Sequence, residues 1–304
     1  MPLHYELSDL RLLLILMRTR SLSASGEAAH LTTSAVSLRL RKLEDGIGAQ
    51  LFTRTGKGLV PTEAGTALAE AAVPILAEAA ALDARLNPFS KHDPEPLRIF
   101  SNSTGLQNFL CRIAADYLRE NSSFRAVLTE QRSSLTPEAV LTGEADLGLI
   151  GGIREPSPAY RTKLELVQFV EDRHVVILPR DSSAAQQFKN RPILFAELLN
   201  LRFAALTDAS PMTAAMKERA LAAGFRFEPI IEAPSFSLLV ELVARGPLAA
   251  VVPASAVPPN APVEVRELED SWAARPLAFV LPKARPALPS AIDFVEFALR
   301  TQKR

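Results

Sequence analysis

The chain has 304 residues, more than one hydrophobic core usually spans, so two or three domains are expected. Its 34 basic and 34 acidic residues cancel, yet residues 1–60 hold eight basic and five acidic side chains, a local excess of three positive charges. The single cysteine, Cys111, excludes an intramolecular disulfide and any multi-cysteine metal site, and we expect it to be a packed core thiol.

Acidic residues near the N-terminus and within the apolar stretches argue against a signal peptide and against a membrane-spanning helix. Acidic Glu6 and Asp9 flank the first apolar residues, unlike the basic start of a signal peptide. The long apolar stretches are interrupted by Glu70 and Glu78, so no bilayer-spanning helix is expected. These features predict a cytoplasmic protein.

Three short helices open the chain. Apolar residues at helical spacing predict a first helix from about residue 8 to 18. We expect Ser23 to cap a second helix that ends near His30, and Thr32 to cap a third, because a hydroxyl accepts from an unpaired first-turn amide. Only about two residues separate the second and third helices, which is typical of a helix-turn-helix.

The third helix, Thr33 to Asp45, has two distinct faces. Apolar residues expected to be buried are Val36, Leu40, Leu43 and Ile47, and Ser34, Ser37 and Arg41 lie on the other side. Short hydroxyls allow a helix N-terminus to approach the groove floor of DNA, and an arginine can bind guanine or phosphate. Candidate DNA-binding residues on this helix are Thr33, Ser34, Ser37 and Arg41.

A basic wing follows the third helix. The segment 51–60 reads as strand, turn and strand, with Arg54 and Lys57 at the turn. These two side chains are candidate contacts to phosphates beside the minor groove, and solvated surface charge is the alternative. Together the helices and wing predict a winged helix-turn-helix.

An alanine-rich helix is predicted from residue 62 to 86. Its apolar residues recur at spacings of three and four, as in a seam that pairs with a partner helix; the alternative is a helix lying on its own domain. The seam consists of Leu68, Ala71, Ile75, Ala79, Leu82 and Leu86. Pro74 lies inside this run and is expected to kink or interrupt it. The proline-containing residues 87–96 read as a hinge.

Beyond residue 97, short apolar runs alternate with amphipathic helices. This alternation predicts parallel strands joined by helical crossovers in two α/β lobes with a cleft between them. Predicted strands cover residues 97–100, 126–130, 146–150, 175–178, 202–206, 227–232, 249–252 and 277–281, and a final helix covers 289–301.

Residues 7–66 resemble the DNA-binding domain of LysR-type transcriptional regulators. The matching segments are Ser21 to Ser23, Ser34 to Ser37, Leu43-Glu44, Gly48, Leu51 to Arg54 and Thr62 to Gly65. The remainder is similar to the family's effector-binding half, through the Gly143 to Asp146 turn and the Val243 to Pro253 run. The resemblance implies a periplasmic-binding-protein-like pair of lobes, a coiled linker helix that dimerises, and usually a tetramer on DNA.

The chain departs from the family pattern in two helices. Ser25 and Gly26 replace a common Ala-Ala pair, and Ala29 replaces a usual leucine. Because glycine in a helix costs about 1 kcal/mol relative to alanine, we expect a less stable domain. Leu38 stands where a polar or basic residue is frequent; it either contacts a thymine methyl or is an isolated exposed leucine.

Polar residues follow the predicted strands of both lobes, where open α/β sheets bind ligands. The candidate effector-binding residues are Ser101, Asn102, Ser103 and Thr104, then Arg132 and Ser133, then Thr207 and Asp208. The first group opens a helix, where free amides favour an anion. Arg132 favours an anionic effector and Asp208 disfavours one, so the charge of the effector stays open, and ordinary helix capping is the alternative for each residue.

No catalytic pattern is found. The four histidines lack metal-ligand spacing, and neither a G-x-S-x-G elbow nor a phosphate-binding glycine loop occurs, so no metal, cofactor or enzymatic activity is expected. The rival interpretations are a solute-binding protein, which would carry a secretion signal, and an enzyme on a related two-lobed scaffold.

The sequence therefore predicts a regulator of three parts, in which the last carries the effector site. The parts are a winged helix-turn-helix (1–61), a linker helix and hinge (62–96) and an effector domain (97–304), with lobe I about 97–170 plus 275–304 and lobe II about 171–274. Expected partners are double-stranded promoter DNA, a small-molecule effector, and further copies of the chain as a dimer and tetramer. RNA polymerase is a further candidate.

Overall fold

The computed structural model describes residues 5–56, 58–86, 89, 95–152, 160–189, 191–208, 210–283 and 286–302. Three helices and a two-stranded wing, which we call the head, precede one long helix. These elements are α1 (Leu7–Thr19), α2 (Leu22–Ala29), α3 (Thr33–Ile47), β1 (Phe52–Thr55), β2 (Gly58–Pro61) and the long helix α4 (Glu63–Leu86).

One apolar core holds the head to α4. Leu13 and Leu16 of α1, Val36 and Leu40 of α3 and Leu76 of α4 belong to the same cluster, and each is no more than 5% exposed. Burying a leucine side chain is worth about 1.5–3 kcal/mol, so this cluster is the main stabilising term of the head. The apolar face expected on α3 is thus buried at Val36 and Leu40.

Two details of the head differ from expectation. Ser21, rather than Ser23, caps α2: its Oγ accepts from the Ala24 amide at 3.4 Å, because the helix begins at Leu22 and Ser23 already lies in its first turn. Ile47 is 36% exposed and not buried with Val36, since it is the last residue of α3 before the chain turns at Gly48. Thr32 caps α3 as predicted, accepting from the Ala35 amide at 3.2 Å.

The wing is attached at both of its ends. Glu44 Oε1, near the end of α3, accepts from the amides of Leu51 at 2.8 Å and Phe52 at 3.3 Å. The amide of Leu59 in β2 donates to the carbonyl of Arg20 at 2.8 Å. These bonds fix the orientation of the wing relative to α3.

Helix α4 runs without a break through Pro74. The predicted interruption is absent, although a proline inside a helix costs about 3 kcal/mol. Ala72 and Leu76, on either side of the proline, are both fully buried in the head core. Tertiary packing on both sides of Pro74 therefore holds the helix together.

The rest of α4 has a second, uncovered apolar face. Ile75, Leu82 and Leu86 are 42%, 56% and 54% exposed. By length and composition alone Glu63–Asp83 could cross a membrane, contrary to the expectation that Glu70 and Glu78 would prevent it. The other face of α4 packs into the head core, so this helix is part of the folded protein.

Seventeen further α-helices and strands follow α4 in the described part of the chain. They are β3 (Leu97–Ser101), α5 (Ser103–Gly105), α6 (Cys111–Glu120), β4 (Ala126–Glu130), α7 (Thr136–Leu141), β5 (Leu147–Gly151), β6 (Leu164–Glu171), β7 (His174–Pro179), α8 (Ser183–Gln187), β8 (Ala204–Leu206), α9 (Pro211–Ala222), β9 (Ile231–Ala233), α10 (Phe236–Arg245), β10 (Ala250–Pro253), β11 (Val263–Glu267), β12 (Pro276–Pro282) and α11 (Pro289–Gln302), with a π-helical turn at Leu106–Leu110 between α5 and α6. Three 3-10 turns lie at Phe195–Leu198, Ala254–Ala256 and Ser271–Ala273.

A five-stranded sheet forms the first lobe, in the order β4-β3-β5-β12-β6. Strands β4, β3 and β5 are parallel, as expected, but β12 is antiparallel to both β5 and β6. Helices α6 and α11 pack on one face, and α7 packs on the other. The expectation of purely parallel strands was wrong because β12 returns from the second lobe and enters the sheet from the opposite end.

The second lobe has a three-stranded antiparallel sheet, in the order β10-β7-β11, and a parallel pair, β8-β9. The strands expected at 202–206 and 227–232 are shorter, and Phe227 instead packs in the core of this lobe. Strands β6 and β11 were not predicted. In β11, buried and exposed residues alternate, so it lacks the continuous apolar run that marked the other strands.

Helix α4 and the head also contact the first lobe. Val73 and Ala77 pack against the cluster that contains Val140 of α7. Arg18 of α1 forms a two-pronged ion pair with Glu144, with Nη1–Oε2 at 3.1 Å and Nη2–Oε1 at 3.2 Å. Helix α4 is therefore joined to the first lobe by apolar packing, and the head is joined to it by a charged pair.

Cys111 differs from its expected environment. It begins α6, and its side chain is exposed rather than packed in the core. The core face of this helix is instead formed by Ile113 and Tyr117, which are 3% and 7% exposed.

Candidate functional site

The outward face of α3 is polar and accessible. Thr33, Ser34 and Arg41 are exposed, and Ser37 is half-buried beside them. Leu38 lies on the same surface and is 53% exposed. The buried face of the same helix anchors it in the head core, so these side chains are presented on a rigid element.

The wing reaches the polar face of α3. Arg54 of β1 is exposed, and its Nη2 donates to Ser37 Oγ at 3.1 Å. The other wing residue predicted from the sequence, Lys57, lies outside the described residues. The structure thus brings together two predicted side chains that are 17 positions apart in the chain.

Two other basic residues of the head, Arg39 and Arg18, are occupied by contacts within the protein. Arg39 pairs with Asp9 at 3.3 Å and donates to Ser8 Oγ at 2.7 Å. Arg18 is 13% exposed and pairs with Glu144. In the described part of the α3–wing surface, Arg41, Lys42 and Arg54 carry accessible positive charge. This surface offers hydroxyl and guanidinium donors to phosphate oxygens and base edges.

The effector residues predicted in the first lobe lie where β3, β4 and β5 end. Asn102 Nδ2 donates to Ser133 Oγ at 2.8 Å, and Ser133 Oγ also accepts from the Gly151 amide at 3.3 Å. Ser101 is fully buried, and its hydroxyl donates to the Leu149 carbonyl at 2.6 Å. Asn102 and Ser133 are therefore the polar pair at this edge.

The other predicted effector residues have different environments. Thr104 is 6% exposed, whereas Ser103 is half-buried and Arg132 and Thr207 are exposed. Asp208 is exposed and forms an ion pair with Lys217. The carboxylate that would repel an anionic effector is therefore charge-compensated.

The segments that connect the two lobes form a polar network that the sequence did not indicate. Asp172 accepts from Ser255 through its amide at 3.1 Å and its hydroxyl at 2.8 Å. Arg275 Nη1 donates to Asp172 Oδ2 at 3.3 Å. Asn108, of the first lobe, donates to Ser255 Oγ at 3.0 Å and so links the lobes. No motif marks these residues, because they come from four separate segments.

His174 lies next to this network. Burial, together with the positive charges of Arg275 and Arg219, lowers the pKa of His174 to about 4. The imidazole is therefore neutral at pH 7. Its Nδ1 is buried without a hydrogen-bond partner among the described residues, as is Nε1 of Trp272, whose ring lies 5.9 Å away.

Metal binding has no support in the described part of the chain, where no group of three or more histidine, cysteine, aspartate or glutamate side chains could hold an ion.

Family models cover nearly the whole chain. Residues 7–66 match the model of the bacterial regulatory helix-turn-helix protein, lysR family, and residues 90–303 match the LysR substrate binding domain. The uncharacterized HTH-type transcriptional regulator YeiE of Escherichia coli K12 is 28% identical over 184 residues. That match covers 60% of this chain and 60% of YeiE, so the chain spans less than two thirds of this curated relative.

Solved structures share the fold. A full-length OxyR variant from Pseudomonas aeruginosa aligns with a TM-score of 0.62 at 20% identity, covering 98% of this chain and 95% of that chain. Full-length CbnR in complex with its target DNA aligns with a TM-score of 0.54 at 18% identity, covering 98% and 100%. Because the two family models together match most of the chain, the chain belongs to the LysR family of bacterial regulatory helix-turn-helix proteins.

Proposed function

We propose that this protein is a sequence-specific DNA-binding transcriptional regulator, controlled by a small-molecule effector that binds between its two α/β lobes. The single observation that carries the proposal is the α3–wing surface, where exposed Ser34 and Arg41 lie beside a Ser37 that is hydrogen-bonded to Arg54. Family membership supports it, and CbnR, a protein of the same fold, is known in complex with its target DNA.

Each side chain of this surface has a proposed role. The hydroxyls of Thr33, Ser34 and Ser37 donate to phosphates or base edges, and Arg41 reads a guanine in the major groove. Leu38 contacts a thymine methyl, which gives a reason for its exposure. Arg54 binds phosphate beside the minor groove, and Lys57 is assigned the same role from the sequence alone.

The proposed assembly is a dimer that forms through α4, with two dimers on DNA. The uncovered residues Ile75, Leu82 and Leu86 belong to the seam predicted from the sequence. Exposed leucines and isoleucines repeating along one helix face favour pairing with a second copy of that helix. RNA polymerase is a further proposed partner. The proposed location is the cytoplasm, and the proposed chemistry is binding without turnover.

The proposed division of labour follows the predicted domains. The head, residues 1–61, binds DNA, and the linker, residues 62–96, dimerises. The effector domain, residues 97–304, binds the small molecule through its lobes I and II. Closure of the lobes on an effector then changes the spacing or the angle of the two heads, because the effector binds one arrangement more tightly than the other.

Salt-dependent binding to the DNA that flanks the gene tests the proposal. A regulator that contacts phosphates releases counterions, so the logarithm of its affinity falls linearly with the logarithm of the salt concentration, by about 0.9 per phosphate contact. We expect a steep slope in an anisotropy titration of the full-length protein. Absent binding, or a flat dependence on salt, favours a solute-binding protein or an enzyme.

A matched pair of variants separates base reading from general charge. Arg41→Ala should weaken binding to the operator by roughly 1–3 kcal/mol and relax its specificity. Lys42→Ala removes the same charge from the neighbouring exposed position of α3 and serves as the control. Equal losses for the two variants, or equal losses of Arg41→Ala on operator and unrelated DNA, would make Arg41 a phosphate contact.

A further inference from the structure

Arg275 lies at the edge of the first-lobe sheet that carries the polar pair Asn102 and Ser133. A Cβ added to Gly151, at the end of β5, would meet Arg275 Nη2 at 2.6 Å and its Cζ and Nε at 2.8 Å. The guanidinium is therefore stacked closely over the Cα of Gly151. The amide of the same glycine donates to Ser133 Oγ. Guanidinium, hydroxyl and amide groups thus meet at one place.

The Arg275 guanidinium has more donors than partners. Its side chain is 13% exposed, and of its five N–H groups one hydrogen bond is formed with the described residues, from Nη1 to Asp172 at 3.3 Å. Asp172 already accepts two hydrogen bonds from Ser255. Nε and Nη2, which form one edge of the guanidinium, make no hydrogen bond with the described residues and are not completely buried, so this edge is open to an acceptor.

The charges around Arg275 favour an anion as that acceptor. Burial lowers the pKa of Arg275, and the Asp172 carboxylate offsets part of this effect, so the positive charge is incompletely compensated. The neighbouring His174 is neutral at pH 7, in part because Arg275 and Arg219 repel its proton. Asp208, the negative group expected to oppose an anion, is paired with Lys217.

We infer that Arg275 binds a carboxylate group of the effector through Nε and Nη2, at the edge of the first lobe beside Asn102 and Ser133. Side-on pairing of a guanidinium with a carboxylate places two parallel hydrogen bonds in one plane, and lysine cannot reproduce this geometry. Arg275 belongs to a connection between the lobes, and Asn108 bonds to Ser255 of the second lobe nearby. A carboxylate at this point therefore contacts the region where the lobes meet. The inference rests on the proposed function and names the ligand class of its effector site.

The test uses carboxylates and their uncharged amides as probes on the full-length protein. Formate, acetate, succinate and benzoate are each compared with the corresponding amide by thermal shift at millimolar concentrations. A ligand selective for the native state raises the melting temperature. We expect at least one carboxylate to stabilise the protein and its amide to have no effect. Stabilisation by none of the carboxylates, or equal stabilisation by an acid and its amide, would overturn the inference.

Variants assign the effect to Arg275. Arg275→Met should abolish the stabilisation, and Arg275→Lys, which keeps the charge but not the fork, should weaken binding at least about tenfold, equivalent to about 1.4 kcal/mol. Arg112→Met removes an exposed arginine of the same lobe, on α6 and outside the candidate effector-binding residues, and should respond like the wild type. An unchanged response of Arg275→Met would refute the inference. The acid–amide comparison on the wild type remains decisive even if this variant does not fold.

A parallel DNA titration separates the two proposals. If the wild-type protein binds operator DNA with a steep salt dependence but is stabilised by no carboxylate, the proposed function is supported and the inference about Arg275 is refuted. If the wild-type protein binds carboxylates but no DNA, the proposed function is refuted instead.

Discussion

Helix propensity and tertiary packing predict opposite outcomes for Gly26→Ala. Propensity alone predicts a gain of about 1 kcal/mol, because glycine is the poorer helix former. In the structure Gly26 is buried, and an added Cβ would lie 2.6 Å from the carbonyl oxygen of Leu31. The amide of Leu31 also donates to the Gly26 carbonyl at 2.8 Å, so the turn between α2 and α3 cannot easily move away.

We expect Gly26→Ala to destabilise the head despite its better propensity. Overpacking against a backbone atom costs about 1–3 kcal/mol, which leaves a net loss of up to about 2 kcal/mol after the propensity gain. Urea unfolding of the full-length protein, followed by far-UV circular dichroism, should show a lower midpoint. Ala28→Gly, at an exposed position of α2, is the control and should cost about 1 kcal/mol. A midpoint for Gly26→Ala at or above that of the wild type would refute the packing argument.

Two further predictions concern charged groups. The pKa of His174, about 4 in the folded protein, lies below the value of about 6.5 for an unfolded histidine, so the unfolded chain binds the proton first as pH falls. Stability contributed by neutral His174 should be lost between about pH 6.5 and 4, by up to about 3 kcal/mol. His174→Gln should reduce the dependence of the urea midpoint on pH over this range. A variant whose midpoint changes with pH as steeply as that of the wild type would contradict the assignment. For the Arg18–Glu144 pair, we expect a coupling energy of about 1–2 kcal/mol in a urea double-mutant cycle of Arg18→Met and Glu144→Gln. Additive losses would mean that the pair does not hold the head to the first lobe.

The head could be read from the sequence because its signals are local. Thr32 caps α3 through the amide three positions later, and the spacing of Val36, Leu40 and Leu43 alone assigns them to the buried side of one helix. The sequence pointed to Ser23 instead of Ser21 as the cap of α2, because the two serines lie only two positions apart and offer equivalent hydroxyls, and only the backbone conformation selects one. The polar face of α3, which carries the proposed function, could also be predicted from the sequence, since the side of an amphipathic helix opposite its apolar face must face outward.

Features that depend on distant segments could not be read from the sequence. The antiparallel entry of β12 beside β5 follows from the path of the chain through the second lobe, and the continuity of α4 through Pro74 follows from packing against the head core. Neither leaves a local pattern, because the partners lie far away in the chain.

The sequence by itself determined the family, the winged head and the outward face of α3, because local periodicity and short motifs fix those features. Only the tertiary structure joined Arg54 to Ser37, compensated Asp208 with Lys217, and brought Arg275 over Gly151. Charge and hydrogen-bond balance depend on distances between groups from separate segments. Folding sets these distances, and it is therefore the structure that assigns the chemistry of the proposed effector site.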